Sequence, residues 1–268
     1  MIVELRHQAL SLLGEPDPQT KLDGARALWR SWQAGAVPLD PQATPQTDAP
    51  LPGRPARPRL VEHLAVRSRS PHTPEGRAGL LHAIAHIEFN AINLALDAVQ
   101  RFAGLPPAFY ADWLQVAAEE AFHFELLCEH LRTLGHRYGD FDAHDGLWTM
   151  CERTAHDFRA RMALVPRTLE ARGLDATPPL QKKLAAAGDP RAVEILDVIL
   201  RDEVGHVAIG NRWYRWACER EGVDPEADFP ALCARYQAPR PRKPLNLGAR
   251  ALAGFTPEEL AALELTAL

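Results

Sequence analysis

The chain has 268 residues, 46% hydrophobic and 24% charged, which is enough apolar material for a folded core and too much for a disordered chain. With 30 Lys and Arg against 35 Asp and Glu the formal charge is −5, which argues against an extended DNA-binding face or a polybasic membrane anchor. No stretch approaches the roughly eighteen uninterrupted apolar residues of a membrane span, and the first residues lack a basic n-region, so a cytoplasmic location is expected. The cysteines, Cys128, Cys151, Cys218 and Cys233, lie far apart with no C-x-x-C pair and read as plain thiols.

Proline placement divides the chain into residues 1–72, 73–221 and 222–268. Residues 1–36 read as helical, and the run VPLDPQATPQTDAPLPGRPARP from Val37 to Pro58 reads as an extended surface connector. Thr73-Pro74-Glu75 is a helix start, and the helix it opens should reach about Phe102, before Gly104 and Pro106. A second helix is expected over Pro107–Leu134, stopped by Gly135. After the turn-rich GHRYGDFDAHDG, a third should run from about Leu147 to Arg172 and end at Gly173. The segment LDATPPLQKKLAAAGD reads as a connector, and a fourth helix should span about Pro190–Arg220. After Asp224 the chain reads as irregular until a short helix capped at Thr256-Pro257-Glu258-Glu259. No strand pattern is present, so the fold class is all-α: four long helices, with a helical N-terminal arm and an irregular C-terminal arm.

Three of these helices place acids where apolar residues belong. On the first, Leu81, Ile84, Ala91, Ile92, Ala95 and Val99 form a stripe centred on Glu88. The second has Trp113, Val116, Ala117, Phe124, Leu127 and Leu131 around Glu120 and His123. The fourth has Ile195, Leu196, Ile199, Val207 and Tyr214 around Glu203 and His206. An uncompensated buried carboxylate costs several kcal/mol, so three such sites need a compensating charge, and no Lys or Arg lies within the stripes.

Glu120-Ala-Phe-His123 and Glu203-Val-Gly-His206 are the same unit, Glu-x-x-His, which turns a carboxylate and an imidazole to one helix face. Glu88 lies 32 residues before Glu120, and Glu170 lies 33 before Glu203. The chain thus contains Glu, then Glu-x-x-His, twice. Four carboxylates match the charge of two divalent cations, and oxygen with imidazole suits iron or manganese. Glu119 and Asp202, four residues before His123 and His206, are positioned to accept from the outer ring nitrogens. Glu170 is the least regular member, because on a straight helix it falls beside the stripe Cys151, Ala155, Phe158, Met162 and Leu169. A bend at Pro166 would turn it inward. Glu152 competes with it, on the same face but about 27 Å away along the axis.

This duplicated pattern resembles the ferritin-like di-iron carboxylate superfamily over roughly residues 73–221. Phrases such as GRAGLLHAIAHIEFNAINLALD, EEAFHFELL, EARGLD, RDEVGHVAIG and NLGARALAGF look like the bacterial family called domain of unknown function 455, which extends the likeness to most of the chain. The resemblance implies a ferritin-like four-helix bundle over 73–221 and two Fe ions, or Mn or a mixed Fe/Mn pair. Its ligands would be Glu88, Glu120, His123, Glu170, Glu203 and His206. Glu120 and Glu203 would be the bridging candidates, Glu88 and Glu170 the terminal ones. Better-understood relatives include tRNA-modifying hydroxylases, small-molecule monooxygenases, ribonucleotide reductase small subunits and ferritins. The activity implied is O2-dependent oxidation of an unidentified substrate, with an electron-donor protein and a homodimer among the partners it admits, and neither DNA nor membrane. Ferroxidase or iron-handling activity, and a metal-stabilised interaction module without turnover, are the rival readings. Roughly 120 residues outside the bundle favour a substrate site over a storage cage.

Three further features read as structural. His82 and His86 share a face that points away from Glu88, Phe89, Phe122 and Phe124 read as core, and Arg240, Arg242 and Lys243 read as a solvated or docked arm.

Overall fold

Helices supply the regular secondary structure of the computed structural model, which describes residues 3–62, 65 and 70–268. Among these residues the nearest approach to a sheet is one parallel bridge between Leu60 and Ala143, so the all-α expectation holds. No helix among them is long and apolar enough to cross a membrane. The chain forms two compact units, Met1–Trp148 and Thr149–Leu268.

The first unit contains α1 (Leu5–Leu13), α2 (Pro18–Gln33), α3 (Pro74–Arg101) and α4 (Pro107–Thr133). Thr73 caps α3 by accepting from the Gly76 amide, as the start signal predicted, and every side chain from Glu88 to Gln100 is buried. Helix α3 packs against α1 and α4, and α2 packs against α4. All twelve apolar residues of the two predicted stripes are buried.

Two buried basic side chains lock the outer layer to α3. The Arg6 guanidinium, 1% exposed, donates to the carbonyls of Val99 and Gln100 at 3.2 and 2.6 Å and to those of Pro41 and Ala43. Because Phe102 is already extended, the last carbonyls of α3 lack helical partners, and a cation there also complements the helix dipole. Lys21, with no exposed surface, donates to Leu13 O at 3.2 Å, Gly53 O at 2.9 Å and Asn93 Oδ1 at 2.5 Å. Burial pulls its amine down to about 7. The proline-rich connector is therefore extended, as expected, but strapped down. Gly53 donates to Leu13 O, and a Cβ there would lie 2.1 Å from Gly14 O. Arg54 pairs with Asp145 and Arg59 with Asp142.

Helix α5 (Gly146–Arg153) crosses the boundary between the units. The second unit continues with α6 (Phe158–Leu164), a π turn (Val165–Glu170), α7 (Ala171–Ala186), α8 (Pro190–Glu221), α9 (Pro225–Arg235), α10 (Leu247–Leu252) and α11 (Pro257–Thr266). The fourth expected helix is α8, and Thr256 forms the capping box of α11 with Glu259.

The third expected helix is corrected in three places. It breaks after α5, where the Thr154 hydroxyl donates to Met150 O and Asp157 caps α6 by accepting from the Ala160 amide. It contains the π turn at Pro166, whose extra residue absorbs the amide that proline lacks. It also continues past Gly173 through Pro178 and Pro179, across the segment read as a connector. The carbonyl that Pro178 leaves unbonded one turn back, Leu174 O, accepts instead from the Asn246 side chain at 3.2 Å. The region after Asp224 is likewise less irregular than expected, because α9 and α10 form there. In the core of this unit, Ala171, Leu174 and Val207 pack with Ala253 and Phe255 of the C-terminal arm.

Candidate metal centre

In the first unit, α3 carries Glu88 and α4 carries Glu120 and His123, with 3%, 0% and 0% of their surfaces exposed. His123 Nδ1 lies 3.2 Å from Glu88 Oε2 and 3.4 Å from Glu120 Oε2. One ligand atom from each residue lies within 4.8 Å of the other two. The three-residue spacing on α4 puts Glu120 and His123 on one face, and the packing of α3 on α4 brings Glu88 to the same point. Burial holds the Glu88 carboxyl well above the ordinary carboxylate range, and the charge of Glu120 adds to the rise, against lowering by His123. Two acids this close in an apolar hairpin must share a proton or meet a cation. The donor set of two carboxylates and one imidazole, already converged and shielded from water, fits a divalent iron or manganese ion.

In the second unit, Glu203 and His206 are buried on α8, with Oε1 and Nδ1 4.0 Å apart. Glu170 is the last residue of the π turn and is 8% exposed, although a regular helix would have left it beside the apolar stripe. The inserted residue of a π turn shifts everything after it by about 100° around the axis, which moves Glu170 inward. Gly210 shows which face of α8 this turn meets, since a Cβ there would lie 2.5 Å from Pro166 Cβ. Gly210 follows His206 by four residues and Glu203 by seven, so it shares their face. The π turn therefore runs along the side of α8 that bears Glu203 and His206.

Arg167 pins the turn by donating to Asn211 Oδ1 at 2.5 Å and to Glu259 Oε1 at 2.7 Å, with its guanidinium 4.6 Å from the ring centroids of Phe229 and Phe255. The Thr168 hydroxyl donates to Ala163 O, five residues back. Glu152 is exposed on α5. Among the acids expected beside the histidines, Glu119 accepts from Gln115 at 2.9 Å and Asp202 accepts from Arg201 at 2.9 Å.

His82 and His86 belong to a packed cluster. His82 Nε2 accepts from the Gly139 amide at 2.9 Å, and His86 lies 2.8 Å from the Tyr138 hydroxyl and 3.2 Å from His144 O. Burial pushes both imidazoles down to about 4, so they stay neutral. Phe89 and Phe124 are buried with centroids 5.3 Å apart, whereas Phe122 is 43% exposed and is not core. Sequence reasoning missed Arg6, Lys21, Arg167 and Gly210. Only Gly210, a glycine inside a helical pattern, carried a local signal of close approach.

The profile of the family described as protein of unknown function DUF455 matches residues 14–261. The chain belongs to this family. An uncharacterised protein of Haemophilus influenzae (strain ATCC 51907 / DSM 11121 / KW20 / Rd) is 48% identical over 271 residues, covering 97% of this chain and 93% of that protein. No solved structure matches this DUF455 chain. The family match takes in all six candidate ligands, from Glu88 to His206, and Lys21, whereas Arg6 lies outside it.

Proposed function

We propose that this DUF455 protein is a metal-dependent oxidoreductase that uses two non-haem iron ions to activate O2 for oxidation of an organic substrate, with manganese or a mixed pair as the alternative content. The observation that carries this reading is the buried convergence of Glu88, Glu120 and His123 in an apolar hairpin. Recurrence of the same residue types on the π turn and α8 supports it. The finer fold reading, a ferritin-like four-helix bundle, rests on the same repeat of a Glu helix followed by a Glu-x-x-His helix in each unit.

In this reading Glu88, Glu120 and His123 hold metal from the first unit, and Glu170, Glu203 and His206 from the second. Iron held by these residues would supply electrons for O2 reduction. The residues of the chain do the rest. His123 offers a ring nitrogen while buried, and the raised Glu88 carboxyl gives up its proton when a cation takes its place. The apolar neighbours Ala117, Ile92 and Phe124 keep bulk water out and so strengthen every electrostatic contact of the set.

Anaerobic reconstitution with Fe(II), metal quantification, and then stopped-flow absorption on mixing with O2 test the proposal. The expected result is two metals per chain and an O2-dependent transient whose decay is coupled to oxidation of added organic substrate. Repeated Fe(II) turnover without any organic substrate would establish iron handling instead. Bound metal that never reacts with O2 would leave a structural role, and absence of bound metal would refute the metal reading outright.

A further inference from the structure

The second unit contains a cleft of about 550 Å³, lined by residues of the π turn, α9, α11 and the segment between α9 and α10. Pockets that hold small organic molecules run from roughly 300 to 1,000 Å³. Its walls are mainly apolar, with Phe229 from α9 and Ala262 and Leu263 from α11 among them.

The charges on this wall are unevenly satisfied. Arg167 is committed to Asn211 and Glu259, and Arg250 donates to both oxygens of Asp175. Arg172 and Arg240 also line the cleft, and neither forms an ion pair among the described residues, although Asp175, held by Arg250, lies near enough to attract Arg172. Arg242 lies close enough to Arg172 to add its own positive field. The acids of the lining are Glu226, Glu258 and Glu259. Glu226 and Glu258 stand in the first turns of α9 and α11, where the helix dipole favours a negative charge, and Glu259 is shared by Arg167 and Arg215. Among the lining groups outside ion pairs, Arg172 and Arg240 stand against Glu226 and Glu258, and Arg242 beside Arg172 tips the balance to positive charge next to an apolar surface.

We propose that this cleft binds an amphipathic anion, whose carboxylate or phosphate-monoester head meets Arg172 and Arg240 while its short apolar chain lies against Phe229 and Leu263. An anion supplies the acceptors these guanidiniums lack, and the apolar chain removes the wall from water. The docked proline-rich tail thereby has a purpose, since Arg240 belongs to it. The site is independent of the metal reading, because none of the candidate ligands lines the cleft.

Isothermal titration calorimetry on the full chain tests this with four probes of equal chain length: octanoate, octyl phosphate, 1-octanol and octylammonium. The expected result is one site per chain, at which at least one of the two anions binds tenfold or more tightly than the alcohol or the cation. The preferred anion identifies the head group. The double variant Arg172→Ala, Arg240→Ala should lose at least tenfold in anion affinity with unchanged thermal unfolding, both side chains being exposed. Ala262→Trp should block the cleft to all four probes. Cys233 also lines the cleft, whereas Cys128, Cys151 and Cys218 are buried, so saturating octanoate should slow alkylation of Cys233 by iodoacetamide. Glu120→Gln should bind the anion as the wild type does, which separates this site from the metal reading. Equal binding of octanoate and octylammonium, wild-type affinity in the double arginine variant, or no saturable binding of any probe would overturn the proposal.

Discussion

Helix α3 and the π turn each carry a buried glutamate ahead of a Glu-x-x-His, yet they position it by different means. Glu88 sits in an unbroken helix whose register places it, and the tertiary contacts around it, from Arg6 and Lys21, hold the outer helices and the strap rather than the glutamate. Glu170 is turned inward by an irregular turn that depends on Pro166, on the missing side chain of Gly210 and on the grip of Arg167. The lesson is that one donor set can be placed by periodicity in one region and by packing in another. The second arrangement should be far more sensitive to substitutions remote from the donors themselves.

The largest expected effect tests that sensitivity. Arg167→Ala leaves Asn211 and Glu259 in an apolar setting without their cation and should cost about 3 kcal/mol, the lower end for breaking a buried pair because Arg215 still holds Glu259. It should also lower bound iron, whereas Arg6→Ala should lower stability with iron content unchanged. Urea unfolding and elemental analysis of both variants decide this, and identical behaviour would erase the contrast between the units.

Metal itself comes next. Fe(II) at a hundredfold excess over Kd should stabilise the wild type by about 2.7 kcal/mol under anaerobic conditions. Glu88→Gln and Glu170→Ala should each lose much of that gain, while Glu152→Ala should keep it. If thermal unfolding ranks Glu152 above Glu170, the π turn does not present the ligand.

Gly210→Ala forces a methyl group against Pro166 and should cost about 1–3 kcal/mol. Gly205→Ala, five residues earlier on the same helix but with no atom within 4 Å of the new methyl group, should instead stabilise by about 0.5–1 kcal/mol through lower chain entropy. Equal shifts of the urea midpoint in the two variants would mean that the turn yields freely.

The smallest expected effect belongs to the first unit. The Lys21 amine is held at about 7 in the folded chain, against 10.5 in the unfolded one. Below about pH 7 both states are charged and the burial penalty is complete, and it is relieved as the pH rises toward 10.5. The wild type should therefore gain about 1 kcal/mol between pH 7 and 8 relative to Lys21→Met. Parallel stability curves for the two proteins would show that the amine stays charged in the fold.

Five of the six candidate ligands, all but Glu170, and most of the first unit were legible along the chain because both depend on local rules. A threonine cap followed by Pro-Glu starts α3, the 3.6-residue repeat identifies the buried faces, and a three-residue spacing puts Glu120 with His123 and Glu203 with His206. The sequence by itself thus determined an all-α chain and the faces that bury acids, since these follow from backbone hydrogen bonding and helix periodicity. Only the tertiary structure decided that a helix runs through Pro178 and Pro179, that Glu170 rather than Glu152 is buried, and that the proline-rich strap is docked. Each of these depends on a distant partner, Asn246 for the carbonyl of Leu174, Gly210 for Pro166 and Lys21 for Gly53, and the preferences of neighbouring residues along the chain carry no information about a contact made dozens of residues away.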